Sequence, residues 1–147
     1  MITALHPMWV VGFVDGEGCF RASMIKNVKL RFGLQIQIEF VVVQHERDID
    51  LLYKLQTFFE CGQVSKTKGS QDFTDQTARF RVRKLLDLQI KVIPFFEQYH
   101  LQTKKQGEFL RFRELCLLLN QKVHLEEEGF HRCLHLAKTL PFEKMNS

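Results

Sequence analysis

The chain has no apolar run long enough to cross a bilayer. Its longest, residues 8–14, falls well short of the roughly 20 residues a spanning helix needs, so no membrane is expected as a partner. Its four cysteines, Cys19, Cys61, Cys116 and Cys133, form no CxxC pair. Scattered thiols with no secretory leader ahead of the first structured segment fit a reduced, intracellular setting. No second copy of the first motif described below follows it. With 45% hydrophobic residues, 14 Phe and 26% charged residues, enough apolar surface is available to offset the entropy of ordering, which excludes a disordered or low-complexity chain. At 147 residues one domain covering residues 1–147 is expected. The formal charge of +4 favours an anionic partner only mildly until the charges are placed.

What is present is strong patterning. Residues 6–18 read as a helix with Pro7 in its first turn, where a missing N–H costs little. Its body, Met8-Trp9-Val10-Val11-Gly12-Phe13-Val14, has no polar face. Such a helix must be buried on more than one side, and a small domain rarely supplies every wall itself. A second chain is the expected wall. Gly12 and Gly16, four apart on one side, would let its backbone approach closely.

Alternation then takes over. Phe20, Ala22 and Met24 oppose Arg21, Ser23 and Ile25, and Leu34, Ile36, Ile38, Phe40 and Val42 oppose Gln35, Gln37, Glu39 and Val41, the pattern of half-buried strands. Helical spacing of Ile49, Leu52, Leu55 and Phe59 places a helix over residues 47–60, ending before Gly62. Two further strands, residues 63–68 and 77–83, flank a polar loop at 69–76, with Phe80 and Val82 on one face and Arg79, Arg81 and Arg83 on the other. Residues 85–140 read as helices broken near Pro94 and at 121–125, with Phe109, Phe112, Leu115, Cys116 and Leu119 as an apolar stripe. The sum is an α+β fold in the order α-β-β-α-β-β-α-α: a four-stranded antiparallel sheet with helices on one face and the other face open.

That open face carries Arg, Gln, Ser and Glu side chains, the groups that hydrogen-bond base edges. The segment Gly12-Phe13-Val14-Asp15-Gly16-Glu17-Gly18 carries the candidate chemistry. Phosphodiester hydrolysis calls for a hard divalent ion, and such ions prefer carboxylate oxygen. If two copies of this helix pack together, two Glu17 carboxylates meet at the seam.

Val10-Val11-Gly12-Phe13-Val14-Asp15-Gly16-Glu17-Gly18 resembles the LAGLIDADG motif of homing endonucleases, and the likeness extends through Phe40-Val41-Val42-Val43-Gln44, Phe80-Arg81-Val82-Arg83 and Ile93-Pro94-Phe95-Phe96. The resemblance implies a homodimer that forms a saddle over double-stranded DNA. It also implies intron homing, with cleavage of a long pseudo-palindromic site to leave 3′ overhangs, and Mg2+ as cofactor, with Mn2+ or Ca2+ able to replace it for binding. No small-molecule substrate is implied, and organelle-encoded introns of chloroplast or mitochondrion are the family's usual home. Carried over by position, Glu17 is the metal-binding acid, the Gly16 carbonyl faces metal too, and Gln44 positions solvent. Asp15 is structural, at the motif's turn. Lys104 or Lys105 supplies the lysine near the cleaved phosphate, although one pairing puts Gln102 there, and Arg47 supplies the basic pocket residue. Trp9, Val10, Gly12, Phe13 and Gly16 form the dimer interface. Arg21, Ser23, Asn27, Gln35, Gln37, Glu39, Ser65, Thr67, Arg79 and Arg81 form the base-reading face, while Lys26, Lys29, Arg31, Lys66 and Lys68 meet phosphates or loop flanks.

Three features are discounted. His131 and His135 share a helix face, but Cys133 points away from them and no fourth zinc ligand is evident. Glu126-Glu127-Glu128 suits the first turn of a helix. Trp9 is assigned to an interface or the core, not to a base-stacking platform.

Overall fold

The computed structural model describes residues 4–67 and 76–142. Helix α1, Pro7–Glu17, starts where the His6 side chain accepts a hydrogen bond from the Met8 main-chain N–H at 3.1 Å and leads directly into β1, Gly18–Lys26. Strand β2, Leu34–His45, is antiparallel to β1 and pairs Gly18 with Val42 and Lys26 with Leu34. A 3-10 turn, Glu46–Asp48, leads to α2, Ile49–Phe59, which stops at Glu60 in the left-handed region (φ 57°). Gly62, with φ 90°, then turns the chain into β3, Gln63–Lys66, and β4, Thr77–Val82; only glycine takes that conformation without strain. The sheet order is β1-β2-β4-β3, antiparallel throughout. The expected strand at 63–68 is shorter, and Lys68 and most of the 69–76 loop lie outside the described residues.

Three helical segments follow the sheet, with the first break displaced from the expected position near Pro94. The first is a continuous run: the turn α3, Leu85–Asp87, a π-turn, Leu88–Val92, and α4, Ile93–Gln98. Pro94 does not break it. Proline lacks an N–H and crowds the preceding turn. Here it sits near the start of α4, directly after the π-turn, whose wider hydrogen-bond spacing eases both conflicts. The real interruption lies between Gln98 and Lys105, ahead of α5, Lys105–Asn120. The second expected break is present: Lys122 is left-handed (φ 59°) and a 3-10 turn, Val123–Leu125, precedes α6, Glu127–Lys138, whose first turn is acidic.

The inner sheet face and the helices share one core. Phe20, Phe40, Phe80, Phe96, Phe109 and Phe112 are all fully buried. Phe20 stands 5.1 to 5.4 Å, centroid to centroid, from the rings of Phe40, Phe96, Phe109 and Phe112. Its mostly edge-on and tilted contacts are the favoured aromatic geometry. No helix among the described residues is long and apolar enough to cross a membrane.

Candidate functional site

The register of β1 and β2 creates the central feature. Gly18, the first residue of β1, pairs with Val42, so Val43, Gln44 and His45 run on past the end of β1. Gln44 therefore reaches the end of α1, and its amide Nε2 donates to Glu17 Oε2 at 3.3 Å and to the Val43 carbonyl at 3.0 Å. Glu17 is exposed. Oxygen donors of this kind suit hard divalent ions. Among the described residues no cluster of three or more His, Cys, Asp or Glu side chains surrounds a point.

The turn that delivers Glu17 is fixed by a reciprocal lock with the start of α5. The Lys105 ammonium donates to the main-chain carbonyls of Val14 and Asp15, both at 3.0 Å, satisfying carbonyls at the C-terminal end of α1 where a cation is favoured. In return the Asp15 carboxylate accepts from the Gln102 N–H at 2.7 Å, the Thr103 N–H at 3.2 Å and the Thr103 hydroxyl at 2.5 Å. Thr103 Oγ1 also accepts from the Lys105 N–H. An anion thus stands at the N-terminal end of α5, the favourable pole. Burial works against ionisation of Asp15, but the Thr103 hydroxyl, the two N–H groups and Lys105 outweigh it and hold its carboxyl below the ordinary 3.8. Sequence reading placed Asp15 as structural but missed Thr103, whose partner lies 88 residues away.

Only one side of α1 is covered. Val10, Val11 and Val14 are buried, whereas Met8 and Trp9 are 56% and 46% exposed, and Gly12 and Gly16 are open. Trp9 stacks on Phe13 with centroids 5.0 Å apart. A methyl group added at Gly12 or Gly16 would meet nothing within 4 Å, so the bare stripe serves no close contact among the described residues. An exposed apolar helix face of this kind is an interaction surface.

The outer sheet face is polar and basic. Arg21, Ser23, Gln35, Gln37, Arg79 and Arg81 stand on it, opposite the inward Phe20, Ala22, Ile38, Phe40, Ala78 and Phe80. Thr67 accepts from Thr77 at 2.8 Å and lies 3.5 Å from Arg79 Nη2. Antiparallel sheets routinely leave one face to solvent, but here Arg79 and Arg81, two residues apart on β4, and Arg21, two strands away on β1, concentrate positive charge on that face, which favours a polyanion or a counter-charge.

Comparison with known proteins identifies this arrangement. The LAGLIDADG endonuclease family profile matches residues 10–116. The chain belongs to the LAGLIDADG endonuclease family. It is 34% identical over 133 residues to probable intron-encoded endonuclease 2 of Neurospora crassa, covering 90% of this chain but 27% of that protein. To DNA endonuclease I-CeuI of Chlamydomonas moewusii it is 29% identical, covering 86% of this chain and 58% of that one. Among solved structures, the homing endonuclease I-TnaI superposes with a TM-score of 0.86 at 41% identity, covering 95% of this chain and 90% of that one. I-SmaMI bound to uncleavable DNA superposes at 0.84 with 30% identity, covering 92% of this chain and 45% of that one. The chain thus spans about a quarter of its fungal relative's length but nearly all of I-TnaI.

Within this LAGLIDADG domain, several expected roles meet a different geometry. Lys105 is half-buried with its ammonium on the α1 carbonyls, and Lys104, just before α5, is exposed. Arg47 is 78% exposed at its side chain and lies 4.0 Å from Asp48, its ion-pair partner. Glu39, expected to read bases, is instead buried to 5% exposure among arginines, because an outward carboxylate ringed by cations gains more from them than from water. Arg31 lies over the Phe32 ring at 5.1 Å and 3.4 Å from the Leu125 carbonyl, turned toward the helical layer. Lys66 pairs with Glu46 at 2.8 Å, and its place beside inward-facing Ala78 takes it off the outer face. Asn27 caps its own turn by accepting from the Lys29 N–H, while Lys26 and Lys29 are exposed at the β1–β2 connection.

Proposed function

We propose that the chain is a site-specific DNA endonuclease that works as a homodimer, the two copies packing through the exposed face of α1 formed by Trp9, Gly12, Phe13 and Gly16. The observation that carries this reading is the placement of Glu17: an exposed carboxylate held beside Gln44 at the end of a helix whose other face, with Met8 and Trp9, is exposed. Pairing that face brings two Glu17 side chains to one seam, one for each strand of a duplex. The close match to I-TnaI over nearly its whole length supports a domain of this size acting without a second motif in the same chain. Relatives named for introns of ND4 and cox1 support an organelle-encoded origin.

Glu17 and the Gly16 carbonyl would hold a divalent ion, with Mg2+ the proposed occupant and Mn2+ or Ca2+ able to replace it for binding. When bound, the ion neutralises charge on the phosphate and lowers the pKa of a water molecule. Gln44 keeps Glu17 oriented and presents an amide to solvent beside it. The lock between Asp15 and Lys105 fixes the helix end so that Glu17 needs no rearrangement on binding DNA. The open sheet face carries double-stranded DNA, with Arg21, Gln35, Gln37, Arg79 and Arg81 toward the major groove, where base pairs are distinguishable.

The test is cleavage of a randomised pool of long duplexes with Mg2+, with the cut ends sequenced for wild type and Glu17→Gln. One nearly palindromic site with 3′ overhangs, absent for the variant, is expected. A pool that is bound but never cut would sink the endonuclease reading and point to a binding protein.

A further inference from the structure

The outer face of the sheet holds the one charged side chain that is buried among the described residues, Glu39. It is central to three strands. Arg21 of β1 is its cross-strand partner, and because Phe40 pairs with Val82, Arg83 follows as its neighbour from the end of β4. Arg21 Nε donates to Glu39 Oε1, and Arg83 Nε donates to Oε2 at 2.8 Å. Arg81 Nε lies 3.2 Å from the same Oε2, close enough for ion pairing but not aligned for a hydrogen bond. One carboxylate thus stands between three guanidinium groups.

We propose that Glu39 is a positioning residue for specificity: its carboxylate gathers Arg21, Arg81 and Arg83 into one ordered array that reads bases, and restrains them from binding phosphates indiscriminately. This rests on the DNA-binding reading above. Arg81 and Arg83 engage Glu39 through Nε, leaving their forked Nη groups to donate, and the fork is what matches guanine O6 and N7. Ordering matters because a free arginine side chain loses much rotamer entropy on binding, a cost met here during folding. Charge matters equally. Three guanidiniums with one carboxylate carry a net +2, whereas without it they carry +3 and repel one another toward whatever phosphates are in reach. A carboxylate with its oxygens engaged by Arg21 and Arg83 has little left to offer a cytosine amine, so Glu39 itself reads no base.

The experiment measures wild type, Glu39→Gln and Glu39→Asp by binding titration on the cognate duplex and on single-base variants of it, over a salt series, in Ca2+ to prevent cutting. For Glu39→Gln the inference expects discrimination to fall tenfold or more at a group of adjacent base pairs and to stay unchanged elsewhere. It also expects a log affinity against log salt slope steeper by about one. Glu39→Asp keeps the charge on a shorter arm and should retain the wild-type slope while losing part of the discrimination. That variant decides the matter if Glu39→Gln does not fold. Uniform weakening with unchanged slope and unchanged discrimination would overturn the inference, since that is what a merely structural residue does. Loss of preference at one cytosine alone would overturn it too, by making Glu39 a direct reader. A wild-type chain with no preference among duplexes would overturn the endonuclease reading and this inference together.

Discussion

Asp15 and Thr103 are joined twice, by the threonine hydroxyl at 2.5 Å and its main-chain N–H at 3.2 Å, both to the same carboxylate oxygen. With Lys105 on the carbonyls of the same turn, this fixes the end of α1 and therefore Glu17. Misplacing a reacting group by about 1 Å can cost roughly a hundredfold in rate. Asp15→Asn and Lys105→Met are both expected to slow single-turnover cleavage by one to two orders of magnitude, with DNA affinity changed much less. If Lys105 acted chiefly on the phosphate, its variant would be slow while Asp15→Asn cut at nearly the wild-type rate.

Gly12→Leu separates folding from assembly. A Cβ at that position meets nothing within 4 Å among the described residues, and replacing an exposed helical glycine with a good helix former gains up to about 1 kcal/mol. The isolated chain should unfold at an equal or higher temperature. The dimer should be lost, seen as a monomer by sedimentation velocity at micromolar concentration with cleavage abolished. A variant that sediments as wild type would remove this face from the interface.

Acid should destabilise the protein through two identified carboxylates. Asp15 and Glu39 are both held below their ordinary values of 3.8 and 4.5, Glu39 because its bonds to Arg83 and Arg21 outweigh the effect of burial. A depressed native pKa stabilises the fold fully above the unfolded value, and that contribution is lost as pH falls through the native one. Stability from these groups should be constant near neutrality and decline below about pH 4.5. Urea unfolding across that range should show a shallower decline for Glu39→Gln and for Asp15→Asn than for wild type. Parallel curves would contradict the assignment.

Phe20→Ala tests the core. The ring is fully buried against four others, and truncating such a residue costs about 3–5 kcal/mol. Urea denaturation should show a loss of unfolding free energy of that size, seen as a lower midpoint with an unchanged slope. A loss under about 1 kcal/mol would mean the rings repack around the gap.

Much of this was legible in the chain because period-two alternation is decided locally: a residue's parity along β1 and β2 fixes its face, and the inward Phe20, Ala22, Ile38 and Phe40 followed. The four-residue spacing of Gly12 and Gly16 likewise exposed a bare helix stripe. The site was harder. Gln44 reaches Glu17 only because β2 outruns β1, a fact of register between strands. The Asp15–Thr103 contact joins residues 88 apart, and no local pattern announces it. Glu39 has the right parity for the outer face, yet its burial depends on arginines contributed by β1 and β4. Pro94 misled for the opposite reason, since the local rule that proline ends a helix yields where the backbone widens into a π-turn.

Strand β2 is a ruler. Gln35 lies near one end and Gln44 near the other, nine residues apart on an uninterrupted strand, or about 30 Å at roughly 3.3 Å per residue. For a duplex laid along the open face, that is the rise of about nine base pairs at 3.4 Å each. The distance from the scissile bond to the outermost base read is then set by peptide geometry, not by any side chain. Substitutions along the strand can rewrite the letters of an address without moving the cut. A single inserted residue would shift the cut relative to the address and turn every reader beyond it to the wrong side of the sheet.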